Sequence, residues 1–286
     1  MDNSPVSIEH YENFPVASIL CPARLRAPIL AIYRFARTAD DLADEGDAPA
    51  TQRLMQLRAY RRELDAPAEA PLSRWPEVFG PLRRAVTDFR LPMPLLHDLL
   101  DAFEQDCGNP AYQDRLQLLD YCRRSANPVG RLLLHLNGVQ DAQALAQSDA
   151  ICTALQLINF WQDPSVDLPR GRNYFPLEDV RRHPAAHFDL QAVRDTPATQ
   201  ALLRDLCTWA RSLMLRGSPL AFRLPGRTGW ELRLVVQGGL RILERIEAMD
   251  HRTLAARPRL HKTDLLVMLW RAARMSPSSV RAEALA

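Results

Sequence analysis

Wound at about 100° per residue, Tyr33, Arg37, Asp40 and Asp44 fall within roughly 60° of one another, so one helical face carries a ring, a guanidinium and two carboxylates. A like-charged pair at i and i+4 costs roughly 0.3 kcal/mol unless a cation sits between its members. The pattern recurs far along the chain. Gln156, Asn159, Asp163 and, if the helix continues, Asp167 lie within about 80° of one another, a polar stripe opposite Leu155 and Ile158. Oxygen donors alone, with no His or Cys, suit a hard divalent cation such as Mg²⁺. Magnesium held by a few carboxylates keeps positions open for phosphate oxygens. Arg37 beside the first stripe, with Arg170 and Arg172 after the second, would neutralise the same anion. Either stripe alone reads as readily as a solvated face. Two stripes that both end in Asp-x-x-x-Asp point together to a Mg²⁺–diphosphate site.

The elements that must carry these residues are helices. Eleven glycines stand against 22 prolines that fall mostly at segment edges, and strand-like alternation is hard to find. The pattern predicts helices from just after Pro22 to about Glu45, with Gly46-Asp47 as a stop, and then Thr51–Leu64, Glu77–Phe89 and Pro94–Asp106. Asp114–Leu136 reads as helical at both ends with a kink or break at Asn127-Pro128. Ala142–Asp163 is the next long helix, with Ile151, Leu155 and Ile158 as its core stripe. Leu168–Pro176 reads as loop and the stretch around Pro184 as irregular. Three more helices are expected, over Leu190–Arg216, Trp230–Met249 and Thr263–Ala273, before a fraying tail after Ser276. No repeat or composition shift marks a boundary, so residues 1–286 are expected to form one all-α domain.

Composition excludes several classes. Apolar content of 47% and charged content of 24% are ordinary for a globular chain, and the net charge is only +2. Lys262 is the single lysine, but the many arginines are dispersed and balanced by 34 acids, which argues against a nucleic-acid partner. The five cysteines show no Cys-x-x-Cys spacing and read as free thiols of a reducing compartment. The polar start Met1-Asp2-Asn3-Ser4 lacks the features of a signal peptide, and no apolar run reaches the ~18 residues of a membrane span. A cytoplasmic protein is expected. The pairs Arg61-Arg62, Arg83-Arg84 and Arg181-Arg182 leave open a peripheral contact with an anionic inner-membrane face.

The two acidic blocks also carry a resemblance. Tyr33-x-x-x-Arg37-x-x-Asp40-x-x-x-Asp44 and Gln156-x-x-Asn159-x-x-x-Asp163-x-x-x-Asp167, followed by Gly171-Arg172-x-Tyr174-x-Pro176, resemble the paired motifs of the head-to-head trans-isoprenyl diphosphate synthases. That is the family of squalene, phytoene and dehydrosqualene synthases. Tyr121-Cys122 with Val129-Gly130 is similar to the family's central helix, and the likeness runs from about Asn13 to Arg271. Glu12–Ser18, Arg124–Arg131, Asn159–Asp163 and Val236–Leu240 bring it nearest to the hydroxysqualene-forming branch of bacterial hopanoid biosynthesis. Departures are Gln162, where relatives often carry Arg, Asn127-Pro128 in place of a small kink, and Pro164 directly after Asp163.

The resemblance implies a single-domain isoprenoid-synthase-like helical bundle around a central apolar cavity. It implies an enzyme that ionises presqualene diphosphate with Mg²⁺ and lets water capture the rearranged cation, releasing diphosphate. Asp40, Asp44, Asn159, Asp163 and Asp167 would hold the metal. Arg37, Gln156, Phe160, Arg172 and Tyr174 would bind substrate, and Tyr33, Tyr121 and Arg37 would act on the reacting carbons and the leaving group. Trp161 reads more simply as core. The alternatives are a synthase condensing two prenyl diphosphates and a non-catalytic helical binding protein.

Overall fold

The computed structural model describes residues 22–44, 48–67, 69–71 and 74–277, and among these every regular element is helical. Glu12–Ser18, Glu45, the expected stop at Gly46-Asp47 and the end of the tail lie outside the described residues. The helices are α1 Ala23–Asp44, α2 Ala50–Asp65, α3 Pro76–Phe89, α4 Met93–Asp106, α5 Arg115–Ser125 and α6 Asn127–Leu136. They continue as α7 Ala142–Gln162, α8 Pro164–Asp167, α9 Leu177–Arg182, α10 Ala186–Gln191, α11 Pro197–Gly217, α12 Gly226–Ala248 and α13 Lys262–Arg274. No described helix is long and apolar enough to cross a membrane.

Local chemistry explains the starts. Asp114 and Asp141 accept from Gln117 N and Ala144 N at 2.9 and 3.0 Å, and Thr196 closes a capping box with Thr199. The kink expected at Asn127-Pro128 is a break. Ala126 leaves regular helix geometry at φ −118°, and Pro128 opens α6, where a missing N–H costs nothing. Buried Asn127 then turns inward and accepts from Thr153 Oγ1 of α7 at 3.0 Å, which ties the break to the central helix.

Two regions depart from the sequence reading. The irregular stretch around Pro184 contains α9 and α10, and α11 begins at Pro197, not Leu190. The first two are six-residue helices, too short to show a period. α12 begins at Gly226 and not Trp230, because Gly229 lets the helix start pass within contact of the Leu224 and Ala221 carbonyl oxygens. A Cβ there would lie 2.6 and 2.7 Å from them.

Two hydrophobic clusters make the core. One gathers α1 to α4 around Phe35, Tyr60 and Phe79, and the other gathers α5, α7, α11 and α12 around Trp161, Leu206 and Leu243. Trp161 is fully buried, as expected of core. α6 serves both, with Leu132 and Leu136 in the first cluster and Leu134 in the second. α7 packs against α5, α6, α11 and α12. Its approach to α11 is so close that a Cβ on Gly217 would meet the Gln147 carbonyl oxygen at 2.6 Å.

Candidate active site

Between the clusters runs a cavity of about 720 Å³, walled by α1, α6, α7 and the first half of α12. Its apolar wall includes Leu25, Ile29, Leu133, Leu155, Leu220 and Leu232. At the ends of α1 and α4 the wall turns polar, with Arg37, Asp40, Asp44, Asp106 and Tyr121. A long apolar space closed at one end by charge suits an amphiphile with an anionic head.

α1 delivers its stripe as the spacing predicts: Tyr33, Arg37, Asp40 and Asp44 all border the cavity. Arg37 reaches Asp40 at 3.1 Å and Asp41 at 2.6 Å. Asp41, which points off the stripe, thereby shares the guanidinium. α7 delivers Gln156 and Asn159, but Ile151 and Leu155 border the same cavity beside them. The polar stripe and part of the expected core stripe therefore share one wall, while Ala154, Leu157, Ile158 and Trp161 turn into the packed core.

The second acidic block bends where proline predicts. α7 ends at Gln162, Asp163 sits outside helix geometry at φ −109°, ψ 18°, and Pro164 starts α8. Asp163 and Asp167 are outside the cavity wall, as are Phe160 and Arg172. Asp163 faces Arg257, at 2.5 and 3.0 Å to its two oxygens. Gln162 is buried and donates to the Pro258 carbonyl at 2.7 Å. The residue standing where relatives often carry arginine thus anchors the segment that brings Arg257 to Asp163. Arg172 crosses from beyond α8 to Asp44 at 2.9 Å and joins the two acidic blocks.

Electrostatics single out three carboxyls. Burial pushes Asp40 up to about 7, and the charge of Asp44 adds to the push. Burial likewise raises Asp106 to about 7, against a hydrogen bond from Tyr121, with Asp44 and Asp40 contributing. Asp167 also rises to about 7, through burial and then the charge of Asp163. Burial raises Asp44 and Asp163 too, opposed by Arg172 and Arg257 respectively. These acids repel in a site that has partly excluded water, and a divalent cation would relieve both effects.

The sequence reading did not single out Asp106. It lies at the last position of α4, where an acid looks like a solvated terminus, yet it accepts from the Tyr121 hydroxyl at 2.9 Å. Tyr121 belongs to an aromatic group with Phe160 at 6.1 Å and Tyr174 at 6.3 Å, and Phe160 stacks on Tyr174 at 3.7 Å. Phe160 thus supports the Tyr174 ring from behind the cavity wall. Tyr112, also not singled out, completes the group at 5.6 Å from Tyr121.

Among the described residues no three His, Cys, Asp or Glu side chains converge closely enough to hold a metal as they stand. Arginines pair instead with Asp40, Asp44 and Asp163. The donors are nonetheless all oxygen, and mutually repelling carboxyls raised toward neutrality are the electrostatics that a hard divalent cation favours, so the residues fit Mg²⁺ by chemistry.

Known proteins share this architecture. The family profile described as squalene/phytoene synthase matches residues 8–264. Hydroxysqualene synthase of Rhodopseudomonas palustris is 35% identical over 241 residues, covering 84% of this chain and 80% of that one. Hydroxysqualene synthase of Sinorhizobium fredii is 32% identical, covering 94% and 90%. The crystal structure of squalene synthase HpnC from Alicyclobacillus acidocaldarius aligns with TM-score 0.77 at 36% identity, over 85% of this chain and 90% of that one. The fold expected from the resemblance is the fold found.

Proposed function

The chain is an enzyme of the squalene/phytoene synthase family, and from that premise we propose that it converts presqualene diphosphate and water to hydroxysqualene and diphosphate with Mg²⁺. The observation that carries the reading is the cavity itself, a long apolar space whose polar end gathers Asp40, Asp44, Asp106 and Arg37. Such a space accepts a thirty-carbon chain and holds its diphosphate at the charged end.

Asp40, Asp44, Asn159, Asp163 and Asp167 are the proposed metal ligands, with Asp106 added. Mg²⁺, when bound, neutralises the charge that develops on the departing diphosphate. Arg37 and Arg172, now paired with Asp40 and Asp44, exchange part of that pairing for the diphosphate oxygens and stabilise the same charge. The carbon–oxygen bond to diphosphate breaks with both electrons leaving on oxygen. The apolar walls from α6, α7 and α12 keep bulk water from the carbocation. Tyr33 and Tyr121 offer π faces to the cation without capturing it, and Phe160 and Tyr174 hold the Tyr121 ring in place. One water adds to the rearranged cation and gives up a proton, which completes the alcohol. Gln156 binds at the cavity wall beside Asn159.

Incubation with presqualene diphosphate and Mg²⁺ in ¹⁸O-labelled water, without NADPH, tests the assignment. A labelled thirty-carbon alcohol is expected, and an unlabelled hydrocarbon would overturn it. A condensing synthase is the second reading, favoured by the 36% identity to a squalene synthase. Product from farnesyl diphosphate alone, in a parallel tube, would establish it.

A further inference from the structure

α13 is held to the bundle by its charged side. Asp264 is fully buried and accepts from Arg241 and Arg245 of α12, each at 2.7 Å, and from the His261 N–H at 2.7 Å. Of its large apolar residues only Met268 is buried. The other side exposes Leu265, Leu266, Leu269 and Trp270, at 52, 69, 43 and 57%. At helical spacing these four occupy an arc of about 140°. Lys262 sits within that arc and Arg274 at its edge, and α13 has no acid other than the buried Asp264. A soluble helix does not ordinarily present this much contiguous apolar surface to water.

Beside this face lies a second cavity, of about 540 Å³, between α11, α12 and α13. Arg211, Arg271 and Arg274 border it, together with Trp270 and Gln237. Arg211 pairs with Glu247 and Arg271 with Glu244, while Arg274 lies over the Trp270 ring at 4.6 Å. Of these, Gln237 is only 8% exposed.

We propose that α13 and the adjoining cavity form a docking surface for an anionic phospholipid bilayer. Leu265, Leu266 and Leu269 enter the boundary between headgroups and acyl chains, with Trp270 at the depth its ring favours. Lys262 and Arg274 meet lipid phosphates. Charge selects this occupant. Two copies of the chain meeting through this face would oppose Lys262 and Arg274 to their own kind, whereas an anionic surface complements both. The arginine pairs Arg61-Arg62 and Arg181-Arg182 make a poorer surface, since Arg61 is bound to Asp101 and Glu104 and Arg182 to Glu178. The inference stands apart from the product assigned above.

Co-sedimentation of the full chain with vesicles tests it. Vesicles containing phosphatidylglycerol are expected to bind the protein at low salt, at least tenfold more tightly than pure phosphatidylcholine, and to release it at high salt. Leu266→Asp combined with Leu269→Asp should weaken binding at least tenfold, and Arg274→Glu about fivefold or more. Both variants should keep the wild-type melting temperature and rate of diphosphate release. As Leu266 and Arg274 are exposed, a third variant, Arg274→Gln, guards against a folding artefact and should weaken binding in the same direction. Equal binding to both lipids, or variants that bind like wild type, would overturn the proposal. So would a dimer in sedimentation equilibrium that Leu266→Asp dissociates, which would give the face to a second copy.

Discussion

The guanidinium of Arg172, beyond α8, lies 2.9 Å from the carboxylate of Asp44 at the end of α1. This ion pair ties Asp44, at the polar end of the cavity, to a segment distant in sequence. It also opposes the upward push of burial on Asp44, as the largest influence in that direction. If Arg172 turns to the diphosphate during reaction, Arg172→Gln should lower turnover by about 10²- to 10³-fold. Arg172→Lys should recover part of the loss, as it keeps the charge and loses the planar fork. Single-turnover diphosphate release checks both, with circular dichroism to verify the fold.

The proposed Mg²⁺ site rests on the same acids. Chelation with EDTA should abolish diphosphate release, and Mg²⁺ should restore it. Asp40→Ala should abolish the Mg²⁺-dependent release while leaving the helix content intact. A mutant that releases diphosphate at the wild-type rate would retire Asp40 from the site. Added Mg²⁺ should also raise the melting temperature of the wild type and raise that of Asp40→Ala less, since a ligand that binds only the folded state stabilises it.

Much of this site can be read in the sequence. The α1 stripe is regular helix from Ala23 to Asp44, so angular arithmetic places Tyr33, Arg37, Asp40 and Asp44 on one wall. The arithmetic fails where the helix does. Asp163 and Asp167 follow the break forced by Pro164, and no period predicts that Asp163 meets Arg257 from the loop before α13. Asp106 was illegible for another reason. A single acid at a helix end carries no spacing signal, and its partner Tyr121 comes from the next helix. Short-range pattern reveals faces, but contacts between elements have to be seen.

Tyr121 separates two roles that one residue could combine. Its ring stands in the aromatic group, and its hydroxyl donates to Asp106 at 2.9 Å. Tyr121→Phe keeps the ring and removes the donor, leaving Asp106 without that bond. Turnover should fall by about tenfold, the cost of losing one hydrogen bond of roughly 1.5 kcal/mol to a charged acceptor. Tyr121→Leu removes the π face as well and should fall further, with early-quenched alcohols among the products by gas chromatography. Equal rates for the two variants would restrict Tyr121 to its hydroxyl.

Gly130 sets the distance between α6 and α7 at the cavity wall. A Cβ there would fall inside contact distance of Ser148 Oγ and Cys152 Sγ. Both neighbours stand on α7, so Gly130→Ala must move side chains or part the helices. The expected cost is about 1 to 3 kcal/mol. Combining it with Cys152→Ala and Ser148→Gly should return most of the lost stability in urea unfolding.

Asp264 predicts how stability responds to acid. Burial alone would raise its carboxyl, but bonds from Arg245, the His261 N–H and Arg241 hold it well below the usual carboxylate range. A depressed carboxyl adds stability that is fully present above the unfolded-state value, about pH 3.9, and is lost as pH falls through the folded-state value. Asp264→Asn removes the charge that Arg241 and Arg245 face and should destabilise the protein by about 3 kcal/mol at neutral pH. The gap between wild type and variant should stay constant from pH 8 to about pH 5 and narrow below about pH 4. Urea unfolding across that range measures it directly. A gap that instead grew on acidification would mean that the two arginines, and not the carboxylate, dominate the energetics of the α12–α13 contact.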